Sequence, residues 1–208
     1  MHTLLLASQS PRRLALLRQV AAPLGLAVDT CGFPPDLDPE SLESHQTNES
    51  PRDYVTRVTR NKSDAAWSHR LNQEQPLHPL ITGDTTVALD DTIFGKPRDA
   101  AHAKAMLEQL SGQTHDVLTE VGLRTIHGYT RVLSHSRVTL AKLSSDWIDW
   151  VVATGEPLDK AGAYAIQGHA GLMIQRVEGS PSGIMGLPLF DTTELIRAAL
   201  NPSAAPHV

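Results

Sequence analysis

The order of apolar and amphipathic segments in this sequence predicts an α/β fold. Short apolar runs of strand length alternate with stretches whose apolar residues recur at helical spacing. The pairs Ser10-Pro11 and Ser50-Pro51 stand where two of the helices would begin, because serine caps a helix and proline suits its first position. The chain has 208 residues, 40% of them hydrophobic, so it is long enough to bury the core of one domain.

The individual elements follow from these patterns. Strands are predicted at 3–7, 25–29, 80–89, 116–126 and 129–140, with a polar interruption at 82–86. Helices are predicted from residue 11 to about 21, from 51 to about 69, and at 99–110, 145–152 and 191–200, with Ser145 as the cap of the fourth. Residues 31–50 and 71–79 are predicted loops, 156–186 turns and short strands, and 201–208 a loose tail after a single domain at 1–200.

Composition excludes several classes of protein. The formal net charge is -5, which does not favour a general binder of nucleic-acid polymers. The only cysteine is Cys31, so no internal disulfide or Cys-rich zinc site is expected, as is typical of a cytoplasmic protein. The apolar run Leu4-Leu5-Leu6-Ala7 is far too short to span a membrane. We therefore expect a cytoplasmic protein without a membrane anchor.

Two segments have residue types that suit phosphate chemistry. Ser8-Gln9-Ser10-Pro11-Arg12-Arg13 joins a predicted strand to a helix, and a helix N-terminus with two arginines suits phosphate oxygens. The same pattern fits an ordinary capped helix with solvated arginines. Gly83-Asp84-Thr85, followed by Gly95-Lys96-Pro97, offers a carboxylate and an ammonium across a hairpin. Taken alone, this second pattern is more typical of a turn aspartate and a surface lysine.

A third segment, 156–168, combines carboxylates, a lysine, a tyrosine and Gln167 among small residues. An amide that donates and accepts together can read the edge of a base. A tight turn cluster is the other interpretation, but the density of special residues favours a functional one. No set of histidines has the spacing of a zinc enzyme, and the sequence has no nucleophile elbow, Walker loop or Rossmann fingerprint.

Taken together, the motifs resemble those of the Maf family of nucleoside triphosphate pyrophosphatases. The similarity runs in family order from about Leu4 to Leu200. It is carried by these segments: Leu6-Ala7-Ser8-Gln9-Ser10-Pro11-Arg12-Arg13, Asp84-Thr85, Gly95-Lys96-Pro97, Leu110-Ser111-Gly112-Gln113-Thr114-His115, 155–164 and Gly186-Leu187-Pro188-Leu189. Each motif is weak alone, but the series is specific.

The resemblance implies a fold and a set of site residues. The fold would be like that of inosine triphosphatases: an elongated mixed β-sheet with flanking helices and a cleft between two lobes. Asp84 would be the catalytic acidic residue. The positions matched to the triphosphate site are Ser10, Arg13, Lys62 and Lys96, and those matched to base choice are Arg12, Thr85 and Gln167.

The resemblance also implies the reaction, the cofactor and the branch. The reaction is hydrolysis of a nucleoside triphosphate to the monophosphate and pyrophosphate, with Mg²⁺ or Mn²⁺. Asp84-Thr85 and Tyr164-Ala165-Ile166-Gln167-Gly168 resemble the branch that prefers dTTP and UTP, and modified pyrimidine triphosphates are further candidates. A 7-methyl-GTP or other purine-directed pyrophosphatase, and a non-catalytic nucleotide-binding regulator of cell division, stay open. So does a homodimer.

The first acidic loop departs from the family pattern. Family members usually have an acidic residue directly after the Asp-x-Asp of this loop, whereas Asp36-Leu37-Asp38 is followed by Pro39 and then Glu40. Glu40 is therefore the expected metal ligand beside Asp84, one residue later than usual, and Asp38 is the alternative. A shift of one extended residue moves a side chain by about 3.5 Å.

Overall fold

A computed structural model describes residues 3–200 of the chain. The strands are β1 (Thr3–Leu6), β2 (Ala27–Thr30), β3 (Leu80–Leu89), β4 (Thr92–Phe94), β5 (Thr114–Thr125), β6 (Gly128–Leu140) and β7 (Ile174–Glu178). The helices are α1 (Pro11–Ala21), α2 (Pro51–Asn72), α3 (Ala100–Leu110), α4 (Ser145–Ala153), α5 (Pro181–Ile184) and α6 (Leu189–Leu200). No helix within this range combines the length and the apolar composition that a membrane crossing requires.

The seven strands form one mixed sheet in the order β2-β1-β3-β5-β6-β7, with β4 paired to β3. β1 runs parallel to both β2 and β3. The pairs β3–β4, β3–β5, β5–β6 and β6–β7 are antiparallel. The long β5–β6 hairpin extends the sheet, which confirms the mixed α/β architecture expected from the sequence.

One edge of β3 is open in its middle. On that edge, β1 pairs only with Leu80 and Ile81, and β4 pairs only with 87–89. Among the described residues, no strand covers the edge at 82–86, whereas β5 pairs with β3 along its whole opposite edge. Because side chains alternate along a strand, successive residues of this open stretch lie on opposite faces of the sheet. Side chains from both faces of the sheet can therefore reach the space at this open edge.

The apolar core is divided on either side of that open stretch. Toward β1, α1 and α6 cover the sheet through buried residues that include Leu17, Ile81, Leu123 and Ile196. At the other end, α3 and α4 pack on Val87, Val117 and Leu140. On the opposite face from α1, α2 packs Ala66 and Trp67 against Leu5 and Leu80. Burial of apolar side chains thus stabilises the sheet on both sides of the polar middle of β3, and this middle is left open to the cleft.

The structure confirms the predicted helices and strands and changes a few details. Ser144, not Ser145, caps α4: its hydroxyl accepts a hydrogen bond from Trp147 N at 3.2 Å. The polar residues 82–86 do not interrupt β3, because β5 pairs with all of them. Residues 92–94 form the additional strand β4, and Pro39–Glu43 form a short 3₁₀ turn inside a predicted loop. The predicted tail, 201–208, lies outside the described residues.

Candidate active site

A cleft of about 330 Å³ opens at the uncovered edge of β3. Every site residue expected from the sequence lines it. They come from the β1–α1 loop, α1, the 3₁₀ turn, α2, β3, the loop after β4 and the loop before β7. These residues are Ser10, Arg12, Arg13, Glu40, Lys62, Asp84, Thr85, Lys96 and Gln167. The structure therefore brings together groups that are spread over more than 150 positions of the chain.

The N-terminus of α1 forms one wall of this cleft. The Ser10 hydroxyl caps the helix by accepting a hydrogen bond from Arg13 N at 3.3 Å, and Pro11 occupies the first turn. Ser8 Oγ accepts from Ser10 N at 3.2 Å and orders the preceding loop. Free N–H groups and the positive end of a helix dipole favour anions at such a terminus.

Arg13 is held by a chain of hydrogen bonds on the α1 face of β3. Its Nε donates to Gly186 O at 2.9 Å and its Nη2 to Thr85 Oγ1 at 3.1 Å. Thr119 Oγ1 lies 2.7 Å from Gly183 O and 3.0 Å from Thr85 Oγ1. Because the Thr119 hydroxyl carries one hydrogen, it donates to one of these two acceptors at a time. Burial lowers the pKa of Arg13, while Asp84 and Glu43 favour its charged form.

Asp84 occupies the opposite face of β3 and is buried. Its Oδ1 accepts from Lys62 Nζ at 2.8 Å and its Oδ2 from Thr86 Oγ1 at 3.3 Å. Burial opposes ionisation of Asp84, but the charges of Lys62 and Arg13 outweigh it, so the pKa of Asp84 lies below its ordinary value. The site thus presents a carboxylate that is ionised at neutral pH.

Glu43 is the site residue that sequence reasoning missed. Lys62, on α2, reaches the cleft with Nζ 2.6 Å from Glu43 Oε1 as well as 2.8 Å from Asp84 Oδ1. The two carboxylates are therefore neighbours, separated by one ammonium group. Asp38-Pro39 repeats the cap-then-proline pattern of Ser10-Pro11, and Asp38 Oδ1 accepts from Glu40 N at 3.0 Å. That pattern was the available indication that this loop contains a helical turn aimed at the site.

Glu40, the expected metal ligand, contacts a different partner. Its carboxylate pairs with Lys96, and both side chains are about half exposed. Burial opposes protonation of Lys96, but Glu40, Glu43 and Asp84 outweigh it and raise the pKa of Lys96. Within residues 3–200 no three His, Cys, Asp or Glu side chains form a ready metal cluster. Metal ligation by Glu40 stays a prediction.

Of the three residues expected to choose the base, Gln167 lies at the exposed edge of the cleft, whereas Thr85 lies in the middle of β3. Gln167 is exposed in a turn closed by Gly168 N donating to Ala165 O at 3.0 Å. Below it, Tyr164 Oη lies 2.7 Å from Nε2 of the buried His115. Burial lowers the pKa of His115 to about 4 and raises that of Tyr164, so both groups are neutral at pH 7. This pair stiffens the base of the loop.

This fold has a solved relative. The structure of a HAM1 protein from Coxiella burnetii superposes with a TM-score of 0.50 at 13% identity, covering 95% of this chain and 99% of that chain. The likeness confirms the inosine triphosphatase-like class of fold. A second comparison gives the family: the model of Maf-like proteins matches residues 3–199, so the chain belongs to the Maf family.

Curated relatives match over most of their length. A protein of Cupriavidus metallidurans named dTTP/UTP pyrophosphatase is 49% identical over 196 residues, covering 94% of this chain and 96% of the relative. Relatives with the same name from Polaromonas sp. and Burkholderia thailandensis are 50% and 47% identical, covering 93% of this chain and 94% and 91% of the relatives.

Proposed function

We propose that this protein hydrolyses dTTP and UTP to the nucleoside monophosphate and pyrophosphate. The observation that carries the proposal is Asp84: a buried, ionised carboxylate held by Lys62 in a cleft whose wall is the N-terminus of a helix. The names of the relatives, at 47–50% identity over more than nine-tenths of the chain, support the choice of substrate.

The cleft is suited to a triphosphate although the whole chain is acidic. Arg12, Arg13, Lys62 and Lys96 all line it, against a formal net charge of -5 for the protein. A triphosphate carries about four negative charges, so local clustering of cations raises its affinity and orients it. Arg13 is already fixed by its bonds to Gly186 O and Thr85 Oγ1, so it loses little freedom when it binds phosphate.

Asp84 then activates or orients the attacking water. One water adds across the α–β phosphoanhydride bond: its oxygen joins one phosphorus, the bridging bond breaks, and its proton passes to Asp84 or to solvent. Lys62, Lys96 and Arg13 offset the charge that develops on pyrophosphate. Positioning and electrostatic stabilisation supply most of the rate in reactions of this kind.

The donor set also suits a divalent cation. Asp84, Glu43 and Glu40 present carboxylate oxygens to one cleft, and Mg²⁺ or Mn²⁺ is commonly bound through one or two carboxylates plus substrate phosphates. Asp84 and Glu43 share Lys62, so their oxygens are neighbours, whereas Glu40 pairs with Lys96. We therefore assign Glu43 a place beside Asp84, with Glu40 as the outer carboxylate. When bound, the ion would neutralise phosphate oxygens.

We assign the choice of base chiefly to Gln167, at the exposed edge of the cleft. The Gln167 amide can accept from the N3–H of uracil or thymine and donate to a neighbouring carbonyl. Cytosine, whose N3 accepts and whose N4 amino group donates, needs the amide turned the other way, so a fixed orientation of Gln167 would distinguish the two bases. Arg12 and Thr85 line the same cleft. Thr85 acts through Arg13, to which its hydroxyl is bonded at 3.1 Å.

A substrate panel tests the proposal. Pyrophosphate release is measured from dTTP, UTP, CTP, GTP and 7-methyl-GTP with Mg²⁺ or Mn²⁺, and after chelation. We expect release from dTTP and UTP that chelation abolishes and added metal restores. Preference for 7-methyl-GTP or another purine would refute the pyrimidine assignment, and nucleotide binding without release would favour a regulator. The cytoplasmic location and the homodimer belong to the same proposal and are tested by cell fractionation and light scattering.

A further inference from the structure

The carboxylate of Glu156 grips the loop that carries Gln167. Glu156 Oε1 lies 3.0 Å and Oε2 3.3 Å from the backbone N–H of His169, which donates to them. Oε2 also pairs with His169 Nδ1. One side chain thus holds both the backbone and the ring of a residue two positions beyond Gln167.

The lack of a side chain at Gly168 leaves room for the Glu156 carboxylate. Its φ of -97° and ψ of -161° are open to other residues, so the conformation does not call for glycine. A Cβ added there would instead overlap Glu156 Oε1, far inside van der Waals contact. The absence of a side chain at Gly168 is therefore what lets the carboxylate reach His169 N across the loop.

Glu156 also connects this loop to a second residue that lines the cleft. Its backbone oxygen accepts from Lys160 Nζ at 3.3 Å, and Lys160 lines the cleft. On the outside, the ring of Trp150 packs edge-on against His169 with centroids 4.8 Å apart. The backbone at Gly168 adds two bonds, from Gly168 N to Ala165 O and from Gly171 N to Gly168 O, both at 3.0 Å. The Glu156 carboxylate is the side-chain tether at the C-terminal side of Gln167.

We infer that Glu156 is a positioning residue for base selection: it fixes the Ala165–Gly168 turn so that Gln167 faces the base. This inference rests on the proposed function. The side chain of Gln167 is exposed. A flexible amide loses rotational freedom each time it pairs with a base, and preorganising it removes part of that cost. Loss of the tether relaxes selection between uracil and cytosine more than it slows hydrolysis.

The test compares kcat and KM for UTP and CTP, which share sugar and phosphates. Glu156→Ala removes the tether, and Gly168→Ala expels the carboxylate without altering Glu156, His169 or Gln167. We expect each variant to lower the UTP-to-CTP ratio of kcat/KM by about tenfold, the effect of one lost hydrogen bond, with the UTP kcat within about threefold of wild type. Glu156→Gln keeps an acceptor for His169 N and should retain most of the selectivity.

The double variant and two controls separate positioning from general damage. Both substitutions remove the same tether, so their effects should not add. The UTP-to-CTP ratio of kcat/KM in Glu156→Ala/Gly168→Ala should be no lower than in the less selective of the two single variants. Glu194→Ala, on the exposed face of α6, and Gly32→Ala, where a Cβ meets nothing within 4 Å, should leave the ratio unchanged.

Two failures are distinguishable. Wild-type protein that turns over UTP and CTP equally would overturn the proposed base selectivity and, with it, this role of Glu156. If wild type prefers UTP and the folded Glu156→Ala and Gly168→Ala variants show the same preference, only the role of Glu156 is overturned. Hydrogen exchange at His169 N reports whether the tether itself was lost: its protection should fall in both variants and persist in Glu156→Gln.

Discussion

Replacing Lys62 by methionine isolates the charge that holds the centre of the cleft together. Methionine keeps much of the length of the side chain but removes the ammonium between Asp84 Oδ1, at 2.8 Å, and Glu43 Oε1, at 2.6 Å. Removing one partner of a buried ion pair leaves the other charge uncompensated, at a cost of 3–5 kcal/mol in other proteins. Arg13 still attracts Asp84, and Glu43 is partly exposed, so we expect a loss of about 3 kcal/mol at neutral pH.

The pH dependence of this loss is the sharper test. In the wild type the pKa of Asp84 lies below its ordinary value, so Asp84 stabilises the fold at neutral pH, and this contribution is lost as the pH falls through the lowered pKa. In Lys62→Met, burial is opposed by fewer charges and the pKa of Asp84 rises. Protonation then favours the folded variant, and the gap to wild type narrows as the pH falls through that raised pKa.

Urea denaturation at a series of pH values measures this gap. Lys104→Met is the matched control, because Lys104 also pairs with an aspartate, Asp149, but at the exposed surface, where such pairs contribute little. A gap between Lys62→Met and wild type that stays constant with pH would refute the assigned electrostatics of Asp84. So would an equal effect of the two lysine substitutions.

Three further predictions concern the walls of the cleft. The pKa of His115 is about 4 in the folded protein against 6.5 ordinarily, so stability should fall by about 3 kcal/mol as the pH drops between these values; His115→Gln, which can still bond Tyr164, should flatten this part of the urea-derived stability curve. Thr85→Val leaves Arg13 Nη2 and Thr119 Oγ1 without their shared partner, so kcat/KM for UTP should fall about tenfold. An unchanged kcat/KM would show that Thr85 does not act by holding Arg13. Gln167→Leu should lower kcat/KM for UTP about tenfold and change that for CTP little; an equal loss for both would exclude base reading by Gln167.

Local chemistry made much of the fold predictable. Ser10-Pro11 and Ser50-Pro51 mark the beginnings of α1 and α2 because capping involves only neighbouring residues. The same locality limits precision: Ser144 and Ser145 both carry a hydroxyl, but it is the Ser144 hydroxyl, on an extended backbone, that accepts the capping bond from Trp147 N. The strand at 82–86 was harder to predict, since its polar residues are held by pairing with β5 rather than by their own apolar pattern.

The residues that line the cleft could be predicted, but the contacts between their side chains could not. Family resemblance indicated Asp84, Lys62 and Lys96, and the structure places all three in one cleft. The family resemblance could not indicate that Lys62 lies between Asp84 and Glu43. That contact depends on how α2 packs against β3 and on the turn at Pro39–Glu43. Pro39 is the first residue of that turn, in which Glu43 contacts Lys62 and Glu40 contacts Lys96.

The central claim is that Asp84 carries out the chemistry in a cleft built to hold a triphosphate, and Asp84→Asn tests it most directly. The variant keeps the shape of the side chain and removes its charge. Turnover of UTP is measured with Mg²⁺, and the affinity for a non-hydrolysable UTP analogue is measured without divalent metal, because Asp84 is also a proposed metal ligand. We predict that kcat falls by about 100-fold or more while the affinity stays within about threefold of wild type, since phosphate is held by Arg13, Lys62 and Lys96. A folded Asp84→Asn protein that hydrolyses UTP at nearly the wild-type rate would contradict the account.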